Sequence, residues 1–143
     1  MAHCKYKERQ GEAAVNFKDA QLIWHIRDYC RIISGYVARC GDFQTFLNDR
    51  LYRDGISMNL QQIGELVGRL SEEFKNENKN RIMWNLIKGM RNHFAHEYER
   101  MEKDIIWGTA HDDIPSLLTF CDELIASHPE DFAFPEIPEE DIL

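Results

Sequence analysis

The densest group of chemically active side chains in this 143-residue chain lies between Arg91 and Arg100. His93 and His96 carry imidazoles, which can accept or donate a proton near pH 7. The guanidinium of Arg91 can bind a phosphate through two hydrogen bonds and offset negative charge in a transition state. Asn92 lies four residues before His96, so the two share one face of a helix. The segment therefore contains the groups needed to act on a phosphodiester.

Two other interpretations of this segment remain open. His93 and His96 are three residues apart and could bind zinc, but the HExxH signature is absent because position 100 is Arg. Alternatively, the segment is the solvated end of a bundle helix, on which Arg and Glu side chains pair at spacings of three and four. We expect no metal site and no cofactor.

The spacing of Arg91 and His96 favours a site shared between two chains. Five residues correspond to about 140° around an ideal α-helix, so the two side chains would not converge on one phosphate from a regular helix. A distorted helix, a curled Arg side chain or a second copy of the segment would bring them together. The third option predicts a homodimer or higher homo-oligomer, with two segments facing each other across a symmetry axis.

The charge distribution permits a nucleic-acid partner without implying one. The net charge is −8, but six of the 25 acidic residues follow His128 with no basic residue among them. Residues 75–103 contain seven basic and four acidic residues, which makes this stretch locally positive. No apolar run approaches the roughly 20 residues that a membrane span needs. The four cysteines form no CxxC pair. We expect a cytoplasmic protein that does not contact a membrane.

Helical periodicity dominates the chain, and no segment alternates every two residues as a strand would. We predict that a first helix begins after an N-cap at Asp19 and ends near Gly41, and that residues 42–47 form a short connecting helix. The most regular apolar seam steps by four and three residues and predicts one long helix. Its members are Ile56, Leu60, Ile63, Val67, Leu70 and Phe74.

The second half of the chain predicts further helices. Residues 75–79 are rich in Asn and Lys and predict a turn. A third long helix should place Ile82, Leu86, Met90 and Phe94 on one buried stripe. Residues 101–107 and 114–126 complete the set, with Pro115 in the first turn of the last helix and residues 111–113 capping it. The predicted fold is all-α, an antiparallel helical bundle of four or five helices over residues 1–128. An irregular, acidic, proline-containing tail follows over residues 129–143.

The pattern Arg91-x4-His96-x-Tyr98 resembles the signature of the HepT-like subgroup of HEPN domains, small all-helical proteins that are paired with minimal nucleotidyltransferases. The likeness extends from about Asp19 to Leu124, because further segments match that pattern in the same order. They are residues 58–65, Trp84, residues 87–92, residues 105–107 and residues 113–115.

This resemblance implies a metal-independent endoribonuclease that acts as the toxin of a type VII-like toxin–antitoxin pair. Arg91 and His96 would be catalytic across a homodimer, and Asn92 would support them. Tyr98 would be the hydroxyl to which a cognate nucleotidyltransferase antitoxin adds AMP, which silences cleavage of the RNA substrate. His93 is an additional imidazole beside this pattern, and it leaves open which histidine acts as the base.

A second hypothesis uses the same fold and the same polar segment. The chain would be a non-catalytic subunit that presents substrate to a nucleotidyltransferase, or a helical interaction module. Toxicity on expression that disappears in His96→Ala would favour the enzyme over this alternative.

Overall fold

The computed structural model describes residues 14–89 and 103–135, and within these ranges it contains helices and no strand. This confirms the all-α prediction. The elements are α1 (Phe17–Cys40), α2 (Phe43–Asn48), α3 (Arg50–Arg69), α4 (Glu72–Glu77), α5 (residues 84–89), α6 (Lys103–Gly108), a π-helical turn (Thr109–Asp113) and α7 (Ile114–Ser127).

Helix α1 is the centre of the bundle, because it packs against both α3 and α7. Its N-cap is Asn16, whose side chain accepts a hydrogen bond from the backbone N–H of Asp19 at 2.8 Å. The prediction of Asp19 as the N-cap is therefore wrong by one turn. The predicted end is confirmed: Gly41 has φ +89° and its N–H donates to the carbonyl of Val37. Glycine adopts this left-handed conformation without the strain of a Cβ.

The carboxylate of Asp19 instead joins the start of α1 to the start of α4. It accepts hydrogen bonds from the backbone N–H of Ser71 at 2.9 Å, from the Ser71 hydroxyl at 2.6 Å and from the Asn16 amide at 2.8 Å. Asp19 is only 2% exposed, so these bonds replace its lost water. The start of α1 thus lies beside the end of α3, and the two helices run antiparallel.

Replacing Asp19 by alanine should lower the free energy of unfolding by about 1–3 kcal/mol, because the buried N–H of Ser71 loses its acceptor. Denaturant unfolding followed by circular dichroism measures this loss. The matched control is Glu72→Gln, since the Glu72 side chain is 91% exposed and its ion pair with Lys75 should contribute at most about 1 kcal/mol. Equal losses in the two variants would contradict the structural role of Asp19.

The apolar seam is buried as predicted, but it does not form one helix. Helix α3 ends at Arg69, and Leu70 has ψ +144°, which is extended. Ser71 then caps α4, its hydroxyl accepting a hydrogen bond from the N–H of Phe74. The break follows from the bonds between Ser71 and Asp19, which an uninterrupted helix could not make. Helix α4 also extends to Glu77, so the predicted turn begins at Asn78 rather than at Lys75.

The stripe predicted for the third long helix is also incorrect where the structure describes it. Ile82 is buried but precedes α5, and Leu86 is 64% exposed. Trp84 and Ile87 face the core instead. Trp84 sets this rotation, since residues two apart lie about 200° apart on a helix and Leu86 must then face outward. Met90 and Phe94 lie outside the described residues.

Residues 129–135 pack back onto the beginning of α1. The ring of Phe134 lies 5.5 Å from Trp24 and 5.9 Å from Phe17, and Phe132 is 5% exposed. The backbone N–H of Val15 donates to the carboxylate of Asp131. A separate acidic tail from residue 129 stays a prediction, as does the domain boundary at residue 128.

None of the described helices combines the length and the apolar character that crossing a membrane requires.

Candidate active site

The residues predicted to form the active site all fall in residues 90–102, outside the described residues. They are Arg91, Asn92, His93, His96 and Tyr98. Their roles and mutual geometry stay predictions. The structure describes the two helices that flank this segment, α5 before it and α6 after it.

Three aromatic rings anchor α5, the helix that leads into the candidate site. Trp84 contacts Phe120 of α7, with ring centroids 5.7 Å apart, and Phe74 of α4, at 5.9 Å. The planes of Trp84 and Phe120 lie at 76°. In this edge-to-face arrangement the positive edge of one ring meets the negative face of the other, which is electrostatically favourable. The indole N–H of Trp84 is buried and finds no acceptor among the described residues, so Trp84 anchors by packing. These ring contacts fix α5 at Trp84, which lies seven residues before Arg91 in the chain.

Helix α6 is anchored where the chain leaves the candidate site. Ile106 is 3% exposed, and the ring of Trp107 lies 5.3 Å from Phe46 of α2. Phe46 is completely buried, so α6 is held against the core through its second turn. Residues 90–102 therefore run between two helices that are both attached to the bundle.

Basic residues precede and follow the segment in the chain. Two basic residues of the locally positive stretch are paired: Lys75 with Glu72 at 3.0 Å and Arg81 with Glu123 at 2.7 Å.

Among the described residues no carboxylate lies within 4.0 Å of Lys79, Lys88 or Lys103, and all three are exposed. The aliphatic stem of Lys88 lies over Gly68 of α3, where an added Cβ would meet it at 3.9 Å. Such exposed ammonium groups can bind phosphates.

A cavity of about 730 Å³ has a predominantly acidic lining. It is bounded by the starts of α1 and α4 and by the end of α7. Its walls carry the carboxylates of Asp19, Glu73, Glu77 and Glu123, against the single guanidinium of Arg81. This excess of negative charge repels phosphate, so the cavity is not a candidate phosphate-binding site.

The described cysteines are buried thiols. Cys30, Cys40 and Cys121 are all free and buried. Burial, with a smaller contribution from the charge of Asp122, raises the pKa of Cys121 to about 12. Burial likewise raises the pKa of Cys30 well above its ordinary value. Thiols with such pKa values are not nucleophiles at neutral pH. Within residues 14–89 and 103–135, no three His, Cys, Asp or Glu side chains are grouped as metal ligands.

The predicted capping role of residues 111–113 is wrong, because no side chain there caps α7. Helix α6 instead continues through the π-helical turn into α7, with the N–H of Ile114 donating to the carbonyl of Thr109. Pro115 explains this turn: proline donates no hydrogen bond and clashes with the carbonyl four residues earlier, here that of His111. The wider π turn relieves that clash.

Within the π turn lies a group of contacts that sequence reasoning missed. Nδ1 of His111 lies 2.8 Å from a carboxylate oxygen of Asp112, and the His111 ring lies 5.7 Å from the ring of Trp107. The available signal was the spacing: Trp107 and Pro115 each lie four residues from His111.

Comparison with known proteins gives one family. A family model described as "Ribonuclease HepT-like" matches residues 26–124, a range that includes α5, the candidate site and α6. A protein of Caldanaerobacter subterraneus subsp. tengcongensis, named "Putative RNase TTE0752", is 33% identical over 93 residues, which cover 65% of this chain and 81% of the relative.

Two proteins of Methanocaldococcus jannaschii are also similar. "Putative RNase MJ1380" is 25% identical over 76 residues, covering 53% of this chain and 69% of the relative. "Putative RNase MJ0127" is 28% identical over 83 residues, covering 58% and 68%. No solved structure matches the chain.

Proposed function

The chain belongs to the HepT-like ribonuclease family, and from this premise we propose that it is a metal-independent endoribonuclease whose Arg91 and His96 form the active site. One observation carries the proposal: the family match covers residues 26–124, a range that includes the Arg91–Tyr98 cluster and both anchored flanking helices. Lys88 and Lys103, which are exposed and flank that cluster in the chain, support an anionic substrate.

The proposed reaction uses the RNA's own 2′-hydroxyl as nucleophile, so it requires no metal ion. His96 accepts the proton of that hydroxyl while its oxygen forms a bond to the adjacent phosphorus. The bond from phosphorus to the 5′-oxygen breaks, and this leaving oxygen takes a proton from water or from a second imidazole. Arg91 stabilises the extra negative charge on the phosphorane. The products are a 2′,3′-cyclic phosphate and a 5′-hydroxyl, and DNA lacks the group that starts the reaction.

Asn92 and His93 are proposed as supporting residues. Asn92 would orient His96 or a phosphate oxygen through its side-chain amide. His93 would supply the second imidazole, which protonates the leaving oxygen, or would replace His96 as the base. No metal ion or cofactor takes part in the proposed reaction.

The proposal includes a homodimer in which Arg91 of one protomer and His96 of its partner act on the same phosphate. An equal mixture of Arg91→Ala and His96→Ala subunits that are refolded together should then regain about a quarter of wild-type activity. Half of the dimers formed from equal amounts are mixed, and each mixed dimer contains one intact site of two. RNA cleavage by the separate and the co-refolded variants measures this recovery.

The control for that mixture is Arg91→Ala co-refolded with the double variant Arg91→Ala/His96→Ala, which cannot form an intact site. Recovery in the control would point to incomplete inactivation. A fully active monomer of 16.9 kDa in light scattering would contradict the shared site.

The proposed biological role is that of a toxin, whose antitoxin is a minimal nucleotidyltransferase. The hydroxyl of Tyr98 would attack the α-phosphorus of ATP, diphosphate would leave, and a base of the transferase would accept the phenolic proton. The added AMP blocks RNA at Arg91. Both the RNA and this ATP-dependent partner are cytoplasmic, so the proposal places the protein in the cytoplasm.

The competing role is a non-catalytic subunit that presents substrate to the transferase. Cleavage of RNA in the presence of a chelator decides between the two, because only the endoribonuclease loses an activity when His96 is replaced.

A further inference from the structure

Four aromatic rings form a column that joins α2 to the π-helical turn after α6, the helix that follows the candidate site in the chain. Phe43 stacks on Phe46 with centroids 6.3 Å apart, Phe46 meets Trp107 at 5.3 Å, and Trp107 meets His111 at 5.7 Å. Phe46 is fully buried, whereas the His111 side chain is 56% exposed. We call these four residues the aromatic column. Its outer end is an open imidazole face.

The His111 ring is held in place rather than free to rotate. Nδ1 of His111 lies 2.8 Å from a carboxylate oxygen of Asp112, within hydrogen-bond distance. Trp107 supports one face of the ring, with 33° between the two planes. The Nε2 atom has no partner among the described residues. An aromatic ring fixed in this way loses little conformational entropy when a flat ligand stacks on it.

We propose that the open end of the aromatic column is a subsite that stacks one base of the single-stranded RNA substrate. This inference rests on the proposed ribonuclease function and adds a substrate contact to it. Aromatic and histidine rings are the usual stacking partners of unpaired bases, and they accept any base because each has a π face. His111 lies eight residues after the start of α6, or roughly 12 Å of helix, and α6 follows the candidate site in the chain.

The charges around His111 disfavour a direct contact with a phosphate, so the proposed contact is with the base alone. Asp104, Asp112 and Asp113 are exposed on the same helical run, and their carboxylates repel a phosphate. In this proposal Arg91 and the exposed lysines bind the phosphates. Loss of the stacking contact should therefore weaken binding without changing its salt dependence, since no counterion release is involved.

The test measures binding of a fluorescent, 2′-O-methylated single-stranded RNA that cannot be cleaved. Fluorescence anisotropy at several salt concentrations gives the dissociation constants of wild type, His111→Ala and His111→Phe. We expect His111→Ala to bind about tenfold more weakly. We expect His111→Phe, which keeps a ring, to stay within about threefold of wild type. The slope of log Kd against log salt should be the same in all three.

The matched control is His25→Ala, which removes an exposed histidine of α1 and should not change binding. An RNA of the same length without bases should bind wild type and His111→Ala equally. Unchanged binding by His111→Ala, equal losses in His111→Ala and His111→Phe, or no binding by wild type would each overturn the subsite.

Cleavage of the matching unmodified RNA by wild type separates this inference from the proposed function. Cleavage that is accompanied by unchanged binding of His111→Ala contradicts the subsite and leaves the ribonuclease standing. Binding that depends on His111 without any cleavage contradicts the proposed ribonuclease and supports the subsite.

Discussion

Replacing His96 by alanine is expected to slow RNA cleavage about 10²- to 10⁴-fold, because the 2′-hydroxyl proton loses its acceptor. Arg91→Ala should have a loss of similar size, since the charge on the phosphorane is no longer offset. Arg91→Lys keeps the charge but not the paired hydrogen bonds, so it should recover only part of the rate. The measurement is single-turnover cleavage of a labelled RNA in the presence of a metal chelator.

Two controls make this result specific. His25→Ala removes an exposed imidazole from α1 and should cleave as wild type does. A DNA oligonucleotide of the same sequence should remain intact, because it lacks the 2′-hydroxyl. Equal rates for wild type, Arg91→Ala and His96→Ala would show that a contaminating nuclease is responsible and would refute the proposed function.

The same cleavage assay, run across a range of pH, assigns the role of His93. If His93 protonates the leaving oxygen, His93→Ala should lose activity mainly on the acidic side of the pH profile, where the general acid is needed. If His93 is the base instead of His96, His93→Ala should show the large loss of rate expected above for His96→Ala. His96→Ala should then lose activity mainly on the acidic side of the pH profile. A rate for His93→Ala equal to that of wild type at every pH would exclude both roles.

Replacing Tyr98 by phenylalanine is expected to abolish protection by the nucleotidyltransferase antitoxin. Adenylylation of Tyr98 would place a negatively charged phosphate and a purine beside Arg91. The phosphate would compete with RNA for the guanidinium, and the purine would block the groove. Phenylalanine keeps the ring but has no oxygen to form the bond. Cells that produce Tyr98→Phe together with the transferase should therefore be as sensitive as cells without the transferase.

Mass spectrometry after incubation with the transferase and ATP provides the chemical readout, and one added AMP is expected on wild type and none on Tyr98→Phe. Tyr29→Phe, at a half-buried position on α1, is the matched control and should still be modified. If the transferase silences Tyr98→Phe as fully as wild type, inhibition works by binding alone and modification of Tyr98 is not the mechanism.

Sequence by itself determined the elements whose causes are local. The end of α1 at Gly41 depends on one residue that adopts positive φ without strain. The short helix predicted over residues 42–47 is α2, and its start depends on one carboxylate, that of Asp42. Burial of the seam from Ile56 to Phe74 follows from periodicity alone. The family assignment also needs no tertiary structure, because the family model matches the sequence itself over residues 26–124.

Tertiary structure decided the features that depend on residues distant in the chain. The break between α3 and α4 at Leu70 requires the carboxylate of Asp19, which is 52 residues away from Ser71. The rotation of α5 is set by Trp84 against Phe120, and this contact overrides the stripe that spacing predicts.

The aromatic column likewise joins α2 to the π turn through Phe46 and Trp107. A hydrogen bond or a ring contact selects one arrangement among several that the local pattern permits equally well. The partner in such a bond or contact is determined only when the bundle has brought distant segments together.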